Sequence, residues 1–401
     1  MALENSRSDG AVPALLTEAA LETPAFVYDE AAIAAAARGL ADLVHGCGGK
    51  ALYALKPLSF PGVLDVMAPW IDGFAASSLC EARLARSVLA DRGSVHITTP
   101  GFRPDEIEAI GEVCDYIAFN SLSQWSALSG RVADKARCGL RVNPGLSFVP
   151  DKRYDPCRPH SKLGVGLRDL AAWARAEPAA IEGLTGLHFH TNCEGRSFLP
   201  LLETVRRMDE AVGGILGRVQ WVNLGGGYEY GQIEDEKPFA QAVGLLREKH
   251  GLEVFVEPGG ALVREGCYLV ASVLDVFSAD GRQVAVLDTT VNHMPEVFEY
   301  QFAPPVAGAS ETGAHRYVLA GCTCLAGDLF GEHAFAEALR PGSRVVFTHA
   351  GAYTQVKWNW FNGVRPPVVY ALDADRQLTV RKRSDYVDFL RQYGDEVHAT
   401  H

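Results

Sequence analysis

Residues 219–260 read VQWVNLGGGYEYGQIEDEKPFAQAVGLLREKHGLEVFVEPGG. Two short β-type runs, VQWVNL and LEVFV, each stop at a turn rich in glycine, and their separation falls in the interval of about 25–35 residues expected when parallel strands alternate with helices. The same rhythm runs backwards through GLTGLHFH (183–190), CGLRVNPG (138–145), YIAFN (116–120), SVHITTPG (94–101), GFAAS (73–77) and ALYAL (51–55). Alanine- and leucine-rich runs such as AAIAAAARGLADLVHG (31–46) and SLCEARLARSVLA (78–90) lie between them. About eight such units fit between Lys50 and Gly260, enough to close a ring. The expected fold is therefore α/β, with a (β/α)8 TIM-type barrel over residues 32–266.

Beyond Glu257 the texture changes. CYLVASVLDVFS, QVAVLDT, HRYVLAG, SRVVFTHAG and PPVVYALD are separated by Gly, Pro and Asp, with few long helical patterns between them. This predicts a C-terminal all-β domain, a β-barrel or sandwich, over residues 267–395. AFVYD (25–29) is a lone apolar run that does not reveal its sheet, and residues 23–31 are assigned to the β domain. Residues 1–22 are small, polar and acidic without a period, and are expected to form a loose arm.

The chain has 401 residues, 48% hydrophobic and 21% charged, which excludes a disordered or collagen-like polymer. A net charge of −12 disfavours nucleic acid and anionic membrane surfaces as partners. Nine cysteines without a C-x-x-C pair fit a reducing cytoplasm. Neither a signal pattern nor a run of about 18 apolar residues is visible, so no membrane span is expected.

In a parallel barrel the reacting groups sit where strands end. Lys56 follows ALYAL; a lysine in a crowded mouth can lose its proton and attack a carbonyl carbon, although on an open surface it is an ordinary solvated lysine. Arg141 follows CGL and could equally be structural support. His190 ends GLHFH, where an isolated histidine is more often a hydrogen-bonded filler than a catalyst. Gly225, Gly226 and Gly227 follow WVNL and would let main-chain N–H groups approach a phosphate, although glycine runs are often only turns. Glu257 follows VFV and precedes Pro258-Gly259; a carboxylate there can hold a protonated pyridine nitrogen, or simply cap or pair. The order of these residues suits one cofactor. Pyridoxal 5′-phosphate needs a lysine for its Schiff base, donors for its phosphate, a group against its face and a carboxylate at its ring nitrogen.

With these motifs in view, residues 24–390 resemble the barrel-type, fold type III pyridoxal-phosphate decarboxylases that act on ornithine, diaminopimelate or arginine. The resemblance rests on Y-A-L-K-P around Lys56, G-L-H-F-H at His190, N-L-G-G-G at Gly225 to Gly227, E-P-G at Glu257, C-L-A-G-D from Cys324 to Asp328, and A-Y-T…F-N-G from Ala352 to Gly363. H-F-H-T-N-C-E, L-D-T-T-V-N-H-M-P-E-V and Y-T-Q-V-K-W-N-W-F-N-G are most similar to the carboxynorspermidine/carboxyspermidine decarboxylase branch.

The resemblance implies that Lys56 holds the cofactor, His190 packs on its ring, Glu257 keeps the ring nitrogen protonated, and Gly225, Gly226, Gly227 and Tyr353 hold the phosphate, with Arg141 supporting the site. Cys324 would return a proton to the α-carbon, and would come from the second subunit of a head-to-tail homodimer with two composite sites. By itself Cys324 reads as a small hydrophobe. The substrate would be an amino-acid-terminated polyamine, with Asp328, Glu296, Asp288 and Glu194 as acidic candidates for its cationic tail and His293 helping to shape that pocket.

Diaminopimelate decarboxylases carry Cys-Glu and E-P-G-R where this chain has Cys324-Leu325 and Glu257-Pro258-Gly259-Gly260, which argues against that substrate. Gly260 and the bulky Trp358 and Trp360 depart from the branch pattern and leave room for another aminocarboxypropyl-bearing or basic amino-acid substrate in specialised metabolism. A racemase usually pairs the ring nitrogen with arginine, which Glu257 disfavours. A non-catalytic binding paralogue would tend to lose Lys56 or Cys324, and both are present.

Overall fold

The computed structural model describes residues 11–394. They divide into a unit spanning Ala34–Leu262 and a second that joins the residues through Ile33 to those from Val263. Strand β1 (Ala25–Asp29) belongs to the second unit. The first contains β2 (Lys50–Ala54), β3 (Gly73–Ala76), β4 (Ser94–Thr98), β5 (Tyr116–Phe119), β6 (Arg137–Asn143), the two-residue β7 (Val165–Gly166), β8 (Gly186–His188), β9 (Trp221–Asn223) and β10 (Glu253–Val256). Parallel pairing runs β2-β3-β4-β5-β6-β8-β9-β10 and returns to β2, a closed eight-stranded barrel, with β7 paired to β6 off the ring.

Because helices cover the outside of such a ring and side chains fill the inside, its strands are buried on both faces and read as unbroken apolar runs. GFAA of β3 and YIAF of β5 are buried at every position. The filling pairs large with small: a Cβ added to Gly186 would meet the Trp221 indole at 2.0 Å, and one added to Gly139 at 2.6 Å. Leu52, Tyr116, Ala118, Trp221 and Phe255 form this layer, and His96 stacks on Tyr116 with ring centroids 4.1 Å apart. Towards the N-terminal ends of the strands, Glu253 accepts from Tyr116 Oη at 2.9 Å and pairs with Lys50 and Arg137. That end is a packed floor, which leaves the C-terminal ends as the open face. Helices follow the strands with capping serines: Ser78 accepts from the Glu81 N–H and Ser121 from the Gln124 N–H.

The second unit is an eight-stranded sheet. It adds β11 (Cys267–Ala279), β12 (Arg282–Leu287), β13 (His315–Ala320), β14 (Leu329–Phe335), β15 (Arg344–Phe347), β16 (Val368–Leu372) and β17 (Leu378–Lys382), in the order β14-β13-β12-β11-β1-β16-β17, with β15 on β11. AFVYD thus lies between β11, antiparallel, and β16, parallel. The expectation of a loose arm over residues 1–22 is corrected where the structure describes it. Ala11–Glu18 is a helix whose Val12 and Leu16 pack with Leu21, Val27, Val270, Val346 and Tyr370. The alternation was hard to see because the helix is short and buries only part of one face. Residues 1–10 and residue 395 of the expected β domain lie outside the described residues.

Candidate active site

The C-terminal ends of the barrel strands surround a cavity of about 490 Å³, open to solvent and lined by Lys56, Ser77, Thr98, Arg141, His188, His190 and Glu257 among others. Lys56 stands two residues beyond β2, Arg141 lies within β6, His188 ends β8, and Glu257 follows the last residue of β10. Four residues singled out in the sequence, Lys56, Arg141, His190 and Glu257, therefore share one cavity.

Glu257 is buried, and burial alone would favour its neutral form. His188 beside it and the cationic Lys56 outweigh that and hold its carboxyl below the usual range. Its Oε1 meets His188 Nε2 at 2.9 Å, and its Oε2 accepts from Asn223 Nδ2 at 2.9 Å. The cavity leaves the Lys56 side chain accessible, yet the protein packed around it depresses the amine pKa. Arg141 adds to this and Glu257 opposes it. A lysine so placed is a nucleophile for a larger fraction of the time at neutral pH. Arg141 is buried, and among the described residues its side chain makes neither a hydrogen bond nor an ion pair, so its guanidinium is left for an anion.

Burial pushes His190 well below the ordinary histidine range, and Lys56 and Arg141 push the same way. Its neutral ring accepts the Gly226 N–H on Nδ1 at 3.1 Å, which places its own hydrogen on Nε2. The glycine triplet is required by backbone approach. Gly225 and Gly227 have φ of +72° and +91°, and a Cβ on Gly226 would stand 2.5 Å from the Glu257 carbonyl oxygen. The N–H groups of Gly225 and Gly226, expected to face a phosphate, are engaged by Asn223 Oδ1 and His190 Nδ1. What Gly225 and Gly226 offer an anion directly is their lack of side chains.

Cys324, Tyr353, Asp328, Glu296, Asp288 and His293 all belong to the sheet unit. Cys324 is exposed, and its N–H donates to Asn362 Oδ1 at 2.9 Å. Tyr353 adopts a left-handed backbone with φ of +57°. The acidic candidates need correction. Asp328 is 2% exposed, and its carboxylate accepts from the Val291 and Thr323 N–H groups and the Thr323 hydroxyl. Asp288 accepts from the Thr23 hydroxyl and the Ser272 N–H. His293 is fully enclosed, bonded through Nδ1 to the Thr289 hydroxyl, and burial lowers its pKa to about 4. Asp328 and His293 support their own loops, and Asp288 ties the end of β12 to β11 and Thr23, uses that spacing along the chain does not reveal. Glu296 is ion-paired with Lys357 at 3.6 Å, and Glu194, beside the barrel mouth after β8, is exposed.

Sequence reasoning missed His188, Asn223 and Glu81, the last close enough for its charge to act on Lys56. Their signals were present: G-L-H-F-H holds a second histidine two residues earlier, on the same side of an extended chain, and S-S-L-C-E contains the N-cap pattern in which Glu81 also accepts the Ser77 N–H.

The family described as pyridoxal-dependent decarboxylase, C-terminal sheet domain, matches residues 25–351. A carboxynorspermidine/carboxyspermidine decarboxylase of Herminiimonas arsenicoxydans is 33% identical over 92% of this chain and 99% of its own length. A carboxyaminopropylagmatine decarboxylase of Synechocystis is 32% identical over 93% and 96%. The crystal structure of carboxynorspermidine decarboxylase from Campylobacter jejuni, complexed with norspermidine, superposes with a TM-score of 0.84 at 31% identity, covering 92% of this chain and all of that one.

Proposed function

Since the chain belongs to the family of pyridoxal-dependent decarboxylases with a C-terminal sheet domain, we propose that it removes the α-carboxyl group of an amino-acid-terminated polyamine, carboxynorspermidine or carboxyspermidine, to give norspermidine or spermidine. The observation that carries this reading is the ionised Glu257 held in one cavity with Lys56, whose amine burial makes easier to deprotonate, and Arg141, whose guanidinium is unpaired. The names borne by the Herminiimonas and Campylobacter relatives support the substrate class.

This donor set suits pyridoxal phosphate: an amine for its aldehyde, an anion for its ring nitrogen, a neutral imidazole for its face, and a guanidinium with a side-chain-free turn for its phosphate. When bound, the cofactor supplies a sink for the electron pair left on the α-carbon as CO2 departs. Lys56 would hold the cofactor through its Nζ. Glu257 would keep a proton on the ring nitrogen, and His190 would pack against the ring. Arg141, Gly225, Gly226, Gly227 and Tyr353 would secure the anionic end. Cys324 would deliver a proton from Sγ to the substrate α-carbon.

We place Cys324 in the partner's site within a homodimer. Phe298, Leu329 and Phe361, near it in the sheet unit, are 45%, 46% and 43% exposed, an apolar surface of the kind that interfaces use. A reducing cytoplasm suits nine free cysteines, and no helix among the described residues is long and apolar enough to cross a membrane.

A second reading is favoured by the Synechocystis relative, which is nearly as similar as the first and is named for a different aminocarboxypropyl compound. Incubating the holoenzyme with carboxynorspermidine, carboxyspermidine, carboxyaminopropylagmatine, diaminopimelate and ornithine, with CO2 release and product mass as readouts, separates the two. Turnover of the first pair is the expected result. Turnover of the agmatine derivative alone would replace it with the second reading, and turnover of diaminopimelate or ornithine alone would overturn both.

A further inference from the structure

Resting on the assignment of Glu257 to the cofactor ring nitrogen, we infer that His188 is a positioning residue that holds the Glu257 carboxylate away from the neighbouring cations and aimed at the cofactor. Glu257 lies in a cavity with Lys56 and Arg141, and both attract it. An unrestrained carboxylate on a flexible side chain would swing towards one of them. It would then neutralise the cofactor-binding amine or the guanidinium left for the phosphate. Neither ion pair forms: among the described residues, the ionisable partner within 4 Å of Glu257 is His188.

Two donors account for this. His188 Nε2 holds Oε1 and Asn223 Nδ2 holds Oε2, each at 2.9 Å, and Asn223 is in turn fixed by the Gly225 N–H on its Oδ1 at 2.8 Å. His188 and Asn223 are paired residues at the ends of adjacent strands β8 and β9, so rigid backbone sets the positions of both donors. Rotating Glu257 towards Lys56 or Arg141 would break both bonds at once.

The tautomer follows from the partner. An ionised carboxylate only accepts, so His188 Nε2 carries a hydrogen and donates it. Nδ1 is buried with no hydrogen-bond partner among the described residues, so Glu257 is the side-chain partner of the ring. His96 and His190 also lie close enough to feel the charge of Glu257, but neither hydrogen-bonds to its carboxylate.

The test is titration of the apo-protein with pyridoxal phosphate, reading the dissociation constant and the visible absorbance spectrum, for His188→Phe, His188→Gln, Glu257→Gln and the Glu257→Gln/His188→Phe double variant. Melting temperature checks that each is folded. His188→Phe should weaken cofactor binding about 10- to 100-fold, the equivalent of one hydrogen bond to a charged group, and shift the spectrum in the same direction as Glu257→Gln. His188→Gln keeps a donor and should restore both towards wild type. In the Glu257→Gln background, His188→Phe should add nothing, because its effect passes through the carboxylate. Wild-type binding and spectrum in folded His188→Phe, beside a clear defect in Glu257→Gln, would overturn the inference alone. A full additional loss in the double variant would overturn it too, by assigning His188 a role of its own. No effect of Glu257→Gln would overturn the ring-nitrogen assignment, and the inference with it.

Discussion

At the scale of single residues, the site is a contest between burial and charge. Lys56 is easier to deprotonate because the protein around it disfavours the ammonium form, whereas Glu257 stays ionised despite burial because His188 and Lys56 stabilise the anion. Lys56→Ala should abolish the visible absorbance of the loaded protein and lower kcat by more than about 1,000-fold, since it removes the nucleophile itself; spectra and CO2 release check this. Cys324→Ala should leave the spectrum intact and reduce correct amine formation by about 100- to 10,000-fold, the usual range for a lost proton donor, with product mass as the readout. His188 escaped the sequence reading for a physical reason. Strand-end reasoning selects polar residues just past the apolar runs, whereas His188 lies inside its run and lines the barrel cavity, where a titratable group is expected only if something there holds it.

At the scale of elements, strands buried on both faces were legible because they leave unbroken apolar runs, and the lysine, histidine, glycine and glutamate motifs fell at their ends. Which sheet β1 joins was not legible, since AFVYD would be buried equally well in either. The acidic cluster was not legible either: Asp288 and Asp328 serve main-chain N–H groups that only the folded loops bring to them. Side-chain pairing joins helix Leu199–Leu216 to the residues just before β10, where Asp209 binds Lys249 and His250 at 2.7 and 2.8 Å. The bond to Lys249 is the main cause lowering the Asp209 pKa. The stabilisation is therefore complete above the unfolded aspartate value and fades as pH falls through the lower folded one. Because Lys249 is largely exposed, Asp209→Asn should cost only about 1 kcal/mol at pH 7. The difference in melting temperature from wild type should shrink as pH falls below the ordinary aspartate range and vanish once the native carboxylate is itself protonated.

At the scale of the whole molecule, the proposed dimer makes each site depend on two chains. Co-expressing Lys56→Ala with Cys324→Ala should yield roughly a quarter of wild-type activity, because half the dimers are mixed and each mixed dimer holds one intact site. Activity no higher than that of the separate variants would show that both residues serve a site within one subunit. The placement of β1 has a bearing on synthesis. Its partners β11 and β16 lie about 240 and 340 residues further along. At about 5–20 residues per second, a ribosome exposes β1 some 10–50 s before β11 leaves it. Throughout that interval the strands from Lys50 to Val256 can pair among themselves, while AFVYD waits with both hydrogen-bonding edges bare. Nascent chains stalled so that Val256 has emerged from the ribosome and Cys267 has not should therefore carry a formed barrel and a sticky leading strand, the species on which a chaperone would act.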